Sequence, residues 1–186
     1  MNRDMRNGHA KYNTNKSAQI VRDGQGLVFD LGGPIIELLR GSEEDAAYCV
    51  IKGTLRPGAS IFLHSHSDPE SFYVLSGDAE VLTETPDGFA WRQVGQGDFA
   101  DIPADMKHAW RNPHTVALEV VVSTTPRLGG FLRELGALIR NEGIRPESIR
   151  NLEERYGYWS GTPEENARVG ITIPSWQAVT HSGPRA

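Results

Sequence analysis

The sequence predicts an all-β domain, an antiparallel sandwich or barrel, followed by helices. Three observations carry this expectation. Between Leu27 and Thr124, short β-rich runs alternate with glycine, proline and aspartate punctuation. After Pro126 the apolar period changes from that of a strand to that of a helix. Finally, 186 residues without an internal repeat fit one domain with tails better than two barrels.

The elements follow in chain order. Residues 1–26 are expected to form an N-terminal arm, polar and without an apolar signal core, its first 17 or so residues having little structure of their own. Residues 27–125 form the barrel. Ile35–Leu39 and Tyr48–Ile51 are β-rich, Arg56-Pro57-Gly58 breaks the chain before Ser60–His64, and Glu70–Leu75 leads to a turn at Ser76-Gly77-Asp78. Ala79–Thr83 and Ala90–Val94 flank the hairpin-like Pro86-Asp87-Gly88, and Asp98–Ile102, Lys107–Arg111 and Ala117–Ser123 complete the series. Residues 126–160 are expected to be helices packed on the barrel. Leu128, Phe131, Leu132, Leu135, Leu138 and Ile139 recur at helical spacing up to Gly143. Pro146 then opens a second helix with Ile149, Leu152 and Tyr156 on one face and Gly157 as its cap. Residues 161–186 read as a loop-like tail, with Trp176 its anchored residue.

Bulk properties narrow the function classes. The chain is 38% hydrophobic, enough for one core and too low for a membrane protein, and no run approaches the roughly 18 apolar residues of a span. Lys and Arg number 19 against 24 Asp and Glu, a net charge of −5 that gives no reason to expect nucleic acid or an anionic membrane as partner. A cytoplasmic protein is expected. Cys49 is the one cysteine, which rules out an intramolecular disulfide and a cysteine-based zinc site; it reads as a small buried hydrophobe.

The chemistry concentrates in two stretches. In a strand, residues two apart share a face, so His64 and His66 project together and can grip one ion. The Asp68-Pro69 turn returns the chain so that Glu70 can offer a carboxylate to the same point. Further on, within Gly97–Asn112, a turn containing Pro103 delivers His108 to the start of another strand. Asp98 and Asp101 lie nearby without the spacing of ligands, His114 belongs to a turn that should be solvent-exposed, and His9 and His181 lie in the tails. The Gly24-Gln25-Gly26 and Gly95-Gln96-Gly97 clusters are turns, not phosphate-binding fingerprints.

These stretches resemble the two motifs of the cupin superfamily. Gly58, His64, His66, Glu70 and Gly77 satisfy every element of G-x5-H-x-H-x3-4-E-x6-G. Gly97, Pro103, His108 and Asn112 satisfy G-x5-P-x-G-x2-H-x3-N, with Asp105 where the superfamily usually has glycine. That position calls for a turn with positive φ, which Asp tolerates better than most residues. The resemblance implies a double-stranded β-helix, or jelly-roll, barrel holding one divalent transition metal ion (Fe, Ni, Mn, Co or Zn) through His64, His66, Glu70 and His108. It also implies a homodimer.

By alternation, Ser60 and Phe62 should share the inward face with His64, Phe72 and Val74 should follow Glu70, and Met106 and Trp110 should flank His108. Phe62, Phe72, Val74, Met106 and Trp110 are therefore the expected pocket for a small organic substrate, although Phe62, Phe72 and Trp110 can equally be barrel core. The order of the chain, with Glu70–Gly77, Gly97-Asp98-Phe99 and the helical segments Gly129–Gly136 and Pro146–Gly157, is similar to single-barrel cupins of the quercetin dioxygenase kind. That likeness implies a metal-dependent dioxygenase acting on a small aromatic or enol-forming compound, with Glu70 as ligand or as the catalytic base. Two alternatives stay open: a non-oxidative cyclase or isomerase of a polyketide- or sugar-like substrate, and a binding module without turnover.

Overall fold

Alternation and turn punctuation translate into nine strands almost where the sequence places them, preceded by one more, Leu27–Asp30, that the sequence reading did not single out. In a computed structural model, which describes residues 18–41, 46–143 and 145–173, these are β1 (Leu27–Asp30), β2 (Pro34–Arg40), β3 (Cys49–Leu55), β4 (Ser60–Ser65) and β5 (Glu70–Ser76), then β6 (Ala79–Thr85), β7 (Gly88–Val94), β8 (Phe99–Ile102), β9 (His108–Arg111) and β10 (Leu118–Thr124). They pair antiparallel into a six-stranded sheet, β1-β2-β3-β10-β5-β8, and a second sheet, β4-β9-β6-β7, which a short β11 (Trp159–Ser160) extends along the free edge of β4. The all-β jelly roll with C-terminal helices is the observed fold.

Between the sheets lies a core of inward residues. β3 alternates strictly, burying Cys49, Ile51, Gly53 and Leu55, and Phe72, Val81, Trp110 and Val122 meet them from the other strands. Each such side chain contributes about 1.5–3 kcal/mol on leaving water. Cys49 is fully buried there, as its setting in the sequence implies. Turns close where the backbone demands it. Gly77 sits at φ 76°, and a Cβ there would collide with the carbonyl of Ala117. Asp105 takes φ 64°, the positive-φ turn expected at that motif position.

One strand breaks the alternation assumed from the sequence. Ile61 pairs with Trp110 and His64 with His108, so three residues of β4 match two of β9. This β-bulge re-phases the strand. Ile61, rather than Phe62, packs into the barrel core with Trp110, while Phe62 packs against the outer cluster of Leu63, Leu82, Ala109 and Ile171.

Helix α1 (Pro126–Glu142) starts on the Thr125 side chain, which accepts from Leu128 N–H, and ends at Gly143. Helix α2 (Pro146–Tyr156) ends in left-handed Gly157. α1 crosses β1 and β3 closely, with Gly136 set against the Phe29 ring where any Cβ would overlap it. A third helix, α3 (Pro163–Arg168), corrects the loop-like reading of residues 161–173. Thr162 and Glu165 form a reciprocal capping box. Fully buried Asn166 accepts from Leu63 N–H at 2.9 Å, and Ile171 is buried in the outer cluster. This segment is therefore fastened to the barrel; Trp176 lies outside the described residues, as do His9 and His181. No helix among the described residues is long and apolar enough to cross a membrane.

Candidate metal centre

Four side chains from separate segments converge at one point of the barrel. His64 lies near the end of β4 and faces His108, its register partner at the start of β9. Glu70 opens β5 in the other sheet, and His66 sits in the link between them. One ligand atom from each of the four lies within 4.8 Å of the others, and all four residues are buried. The ring centroids of His64 and His108 are 4.1 Å apart, and those of His66 lie 5.5 and 5.4 Å from them.

The donor set fits a divalent ion. His64 Nδ1 is 2.7 Å from the carbonyl of Phe62, and His108 Nδ1 is 2.9 Å from that of Met106. Donation of Nδ1–H to those carbonyls leaves each Nε2 with a free lone pair directed at the centre. His66 is buried with neither ring nitrogen hydrogen-bonded, an imidazole that a bound cation would satisfy. Burial, reinforced by the neighbouring His108 and His66, pushes His64 well below the ordinary histidine range. Burial also pushes Glu70 up, but the adjacent imidazoles of His108 and His66 outweigh it and bring the carboxyl down to about 2. Glu70 Oε2 lies 3.2 Å from His108 Nε2 and 3.4 Å from His66 Nε2. A neutral His64 and an ionised Glu70 suit metal ligation.

The surrounding loop is braced. Asp105 N–H donates to the His66 carbonyl at 2.8 Å. Asp68, next to the ligands, accepts from Thr125 and from two nitrogens of Arg127. Asn112 of the second motif is structural: its amide donates to the carbonyls of Leu55 and Val116 and accepts from His114 N–H. His114 is half-buried rather than exposed and stands apart from the four-residue cluster. Asp98 and Asp101 also serve turns and pairing, accepting from Gly95 N–H and Ser71 Oγ.

A cavity of about 430 Å³ opens on the cluster. Phe62, Phe72 and Trp110 border it, with Phe72 and Trp110 rings 4.7 Å apart. Val74 and Met106 do not. Val74 lies further along β5, where its N–H donates to Asp98, and is sealed in the core; Met106 packs against that core from the turn before β9.

Part of the wall comes from the helical segment and the stretch after it, and sequence reasoning missed its polar members. Tyr158 stacks on His64 at 5.2 Å and on His66 at 5.5 Å, with Phe131 on it at 4.4 Å. Burial, then the charges of Glu70 and Glu153, push its phenol well above the ordinary tyrosine range. Glu153 also borders the cavity, and its Oε1 accepts from Ser160 Oγ at 2.6 Å. Burial pushes its carboxyl up, against the pull of Ser160 and Arg150. One signal could have revealed Glu153: it falls four residues after Ile149, on the apolar face of α2.

Comparison with known proteins places this geometry. Residues 51–124 match the family described as Cupin domain. No curated protein sequence matches significantly. Among solved structures, the polyketide cyclase RemF from Streptomyces resistomycificus is similar with a TM-score of 0.52 at 18% identity, over 58% of this chain and 79% of that one. An RmlC-like cupin from Shewanella frigidimarina NCIMB 400 is similar with a TM-score of 0.49 at 21% identity, over 59% of this chain and 92% of that one. The plu4264 protein from Photorhabdus luminescens is similar with a TM-score of 0.49 at 19% identity, over 75% of this chain and 98% of that one. The likeness to RemF shows the fold alone.

Proposed function

We propose that this cupin-fold chain is a metal-dependent oxidoreductase that brings O2 to a small aromatic or enol-forming compound. The observation that carries the reading is one juxtaposition: a buried three-histidine, one-carboxylate cluster opens on a largely apolar cavity of about 430 Å³. His64, His66, His108 and Glu70 would hold the ion. When bound, it supplies Lewis acidity and, if redox-active, a route for electrons between substrate and O2.

The chain itself performs the rest. The carbonyls of Phe62 and Met106 hold two imidazoles in the ligating orientation. Phe72 and Trp110 present aromatic surface to a planar substrate, and the apolar wall excludes water. Ionised Glu70 is placed to take the proton of a substrate hydroxyl, which makes the ring or enolate electron-rich. The likeness of Glu70–Gly77, Gly97-Asp98-Phe99 and the helical segments to single-barrel cupins of the quercetin dioxygenase kind supports the same reading.

Oxygen uptake by metal-loaded protein supplied with simple enols and polyphenols tests it. Uptake matched to substrate loss is the expected result; equal conversion without oxygen refutes it. A second reading, non-oxidative cyclisation or isomerisation, is favoured by Glu153, since a second carboxyl on the same cavity can return a proton that Glu70 removes. Anaerobic conversion would select that reading, and binding without product would leave a non-catalytic binder.

A further inference from the structure

Glu153 is poorly explained as a structural residue. It lies on the apolar face of α2 and borders the cavity, where the charge of Arg150 on the same helix acts on it. Ser160 Oγ donates to Oε1 at 2.6 Å. A half-buried carboxylate on a cavity wall can accept a further hydrogen bond from a ligand donor. Its placement is tied to the metal centre through the backbone, because Ser160 is the register partner of His64. Tyr158, between Glu153 and Ser160 in the chain, stacks on His64 and His66.

The charges around the cavity point the same way. Among the described residues that border it, the acidic groups are Glu70 and Glu153, and there is no lysine or arginine. An ion held by the histidines and Glu70 would offset charge at that cluster only. No cationic side chain of α2 or β11 borders the cavity to meet a phosphate, sulfonate or carboxylate, and Glu153 repels one.

We propose that Glu153 determines specificity by accepting a hydrogen bond from a hydroxyl of the substrate, which is an uncharged hydroxylated aromatic or enol whose far end carries a donor and no anionic group. This rests on the cavity being the substrate site proposed above, and it names the class of substrate that site takes.

The test uses three probes on the metal-loaded full chain: a naphthalenediol with its hydroxyls on opposite rings, the same compound with one hydroxyl methylated, and the corresponding hydroxynaphthalenesulfonate. Affinities are measured by calorimetry or tryptophan fluorescence for wild type, Glu153→Leu and Ser160→Ala. In wild type, methylation should weaken binding about tenfold or more, the scale of a hydrogen bond to a charged acceptor, and the sulfonate should bind still more weakly. In Glu153→Leu the methylation penalty should shrink to about twofold or less, while Ser160→Ala, which keeps the carboxylate, should retain it. Metal content and melting temperature verify that each variant is folded; if Glu153→Leu fails there, Glu153→Gln replaces it and should relax rejection of the sulfonate. An equal methylation penalty with and without the Glu153 carboxylate overturns the proposal, as does sulfonate binding as tight as the diol, or no binding of the diol to wild type. Turnover plays no part in this readout. Loss of oxygen uptake with the Glu153 dependence intact would refute the oxidoreductase reading alone, and the reverse pattern would refute this inference alone.

Discussion

Replacing Arg127 by Met removes the clamp that joins the metal loop to the helices. The guanidinium holds both carboxylate oxygens of Asp68, through Nε at 3.1 Å and Nη2 at 2.6 Å. Nη2 also donates to Ser67 Oγ at 3.0 Å, and Nη1 donates to the carbonyl of Tyr156. One side chain thus ties the loop between His66 and Glu70 to the end of α2, two residues before Tyr158. The Asp68 side chain is 5% exposed and that of Arg127 41%. Removing one partner of a fully buried pair costs about 3–5 kcal/mol. Here the arginine is partly in water and Thr125 still donates to Asp68, so the expected loss is about 2 kcal/mol. For a chain of this size that lowers Tm by about 4–8 °C. Metal retention should fall as well, because the released loop carries two of the four proposed ligands. Thermal melts and metal titrations of Arg127→Met, Asp68→Asn and the double variant check both effects, and the double variant should lose less than the sum of the singles. A Tm drop under about 1 °C with additive singles would refute the clamp.

Three further outcomes follow from the same geometry. Single His64→Ala, His66→Ala or His108→Ala variants should lose most bound metal while keeping the β-sheet circular dichroism signal; full occupancy in all three, by elemental analysis, would refute the centre. Metal-saturated Glu70→Gln should still bind substrate but turn over at least about 100-fold more slowly if Glu70 is the base, whereas recovery of wild-type turnover with excess metal would leave it a ligand only. Gly136→Ala drives a methyl into the Phe29 ring and should destabilise the protein by about 1–3 kcal/mol in a denaturant melt; an unchanged midpoint would show that α1 can lift off β1 without penalty.

The sequence by itself determined what short-range chemistry controls. Strand positions follow from turn residues and β-rich runs, and both long helices begin at Pro126 and Pro146 and end before Gly143 and Gly157, because proline and glycine act through their own φ angles. The four-residue cluster was readable because His64, His66 and Glu70 share one strand–turn–strand and His108 follows a recognisable turn, where Asp105 indeed takes positive φ. The capping box of α3, Thr162 to Glu165, was also written locally, although that stretch read as loop.

Only the tertiary structure decided the rest. The bulge in β4 exists relative to β9, so pairing, not composition, exchanges Ile61 for Phe62 in the core. Strand β11 has two residues and no propensity signal; it is a strand because Trp159 and Ser160 find the edge of β4. That pairing brings Ser160, and with it Glu153 and Tyr158, beside a histidine nearly a hundred positions earlier. Alternation within a strand says which residues share a face, but which face borders a cavity depends on what the distant chain packs against it. For that reason Val74 and Met106 fell into the core, while a glutamate on the apolar side of α2 came to border the cavity.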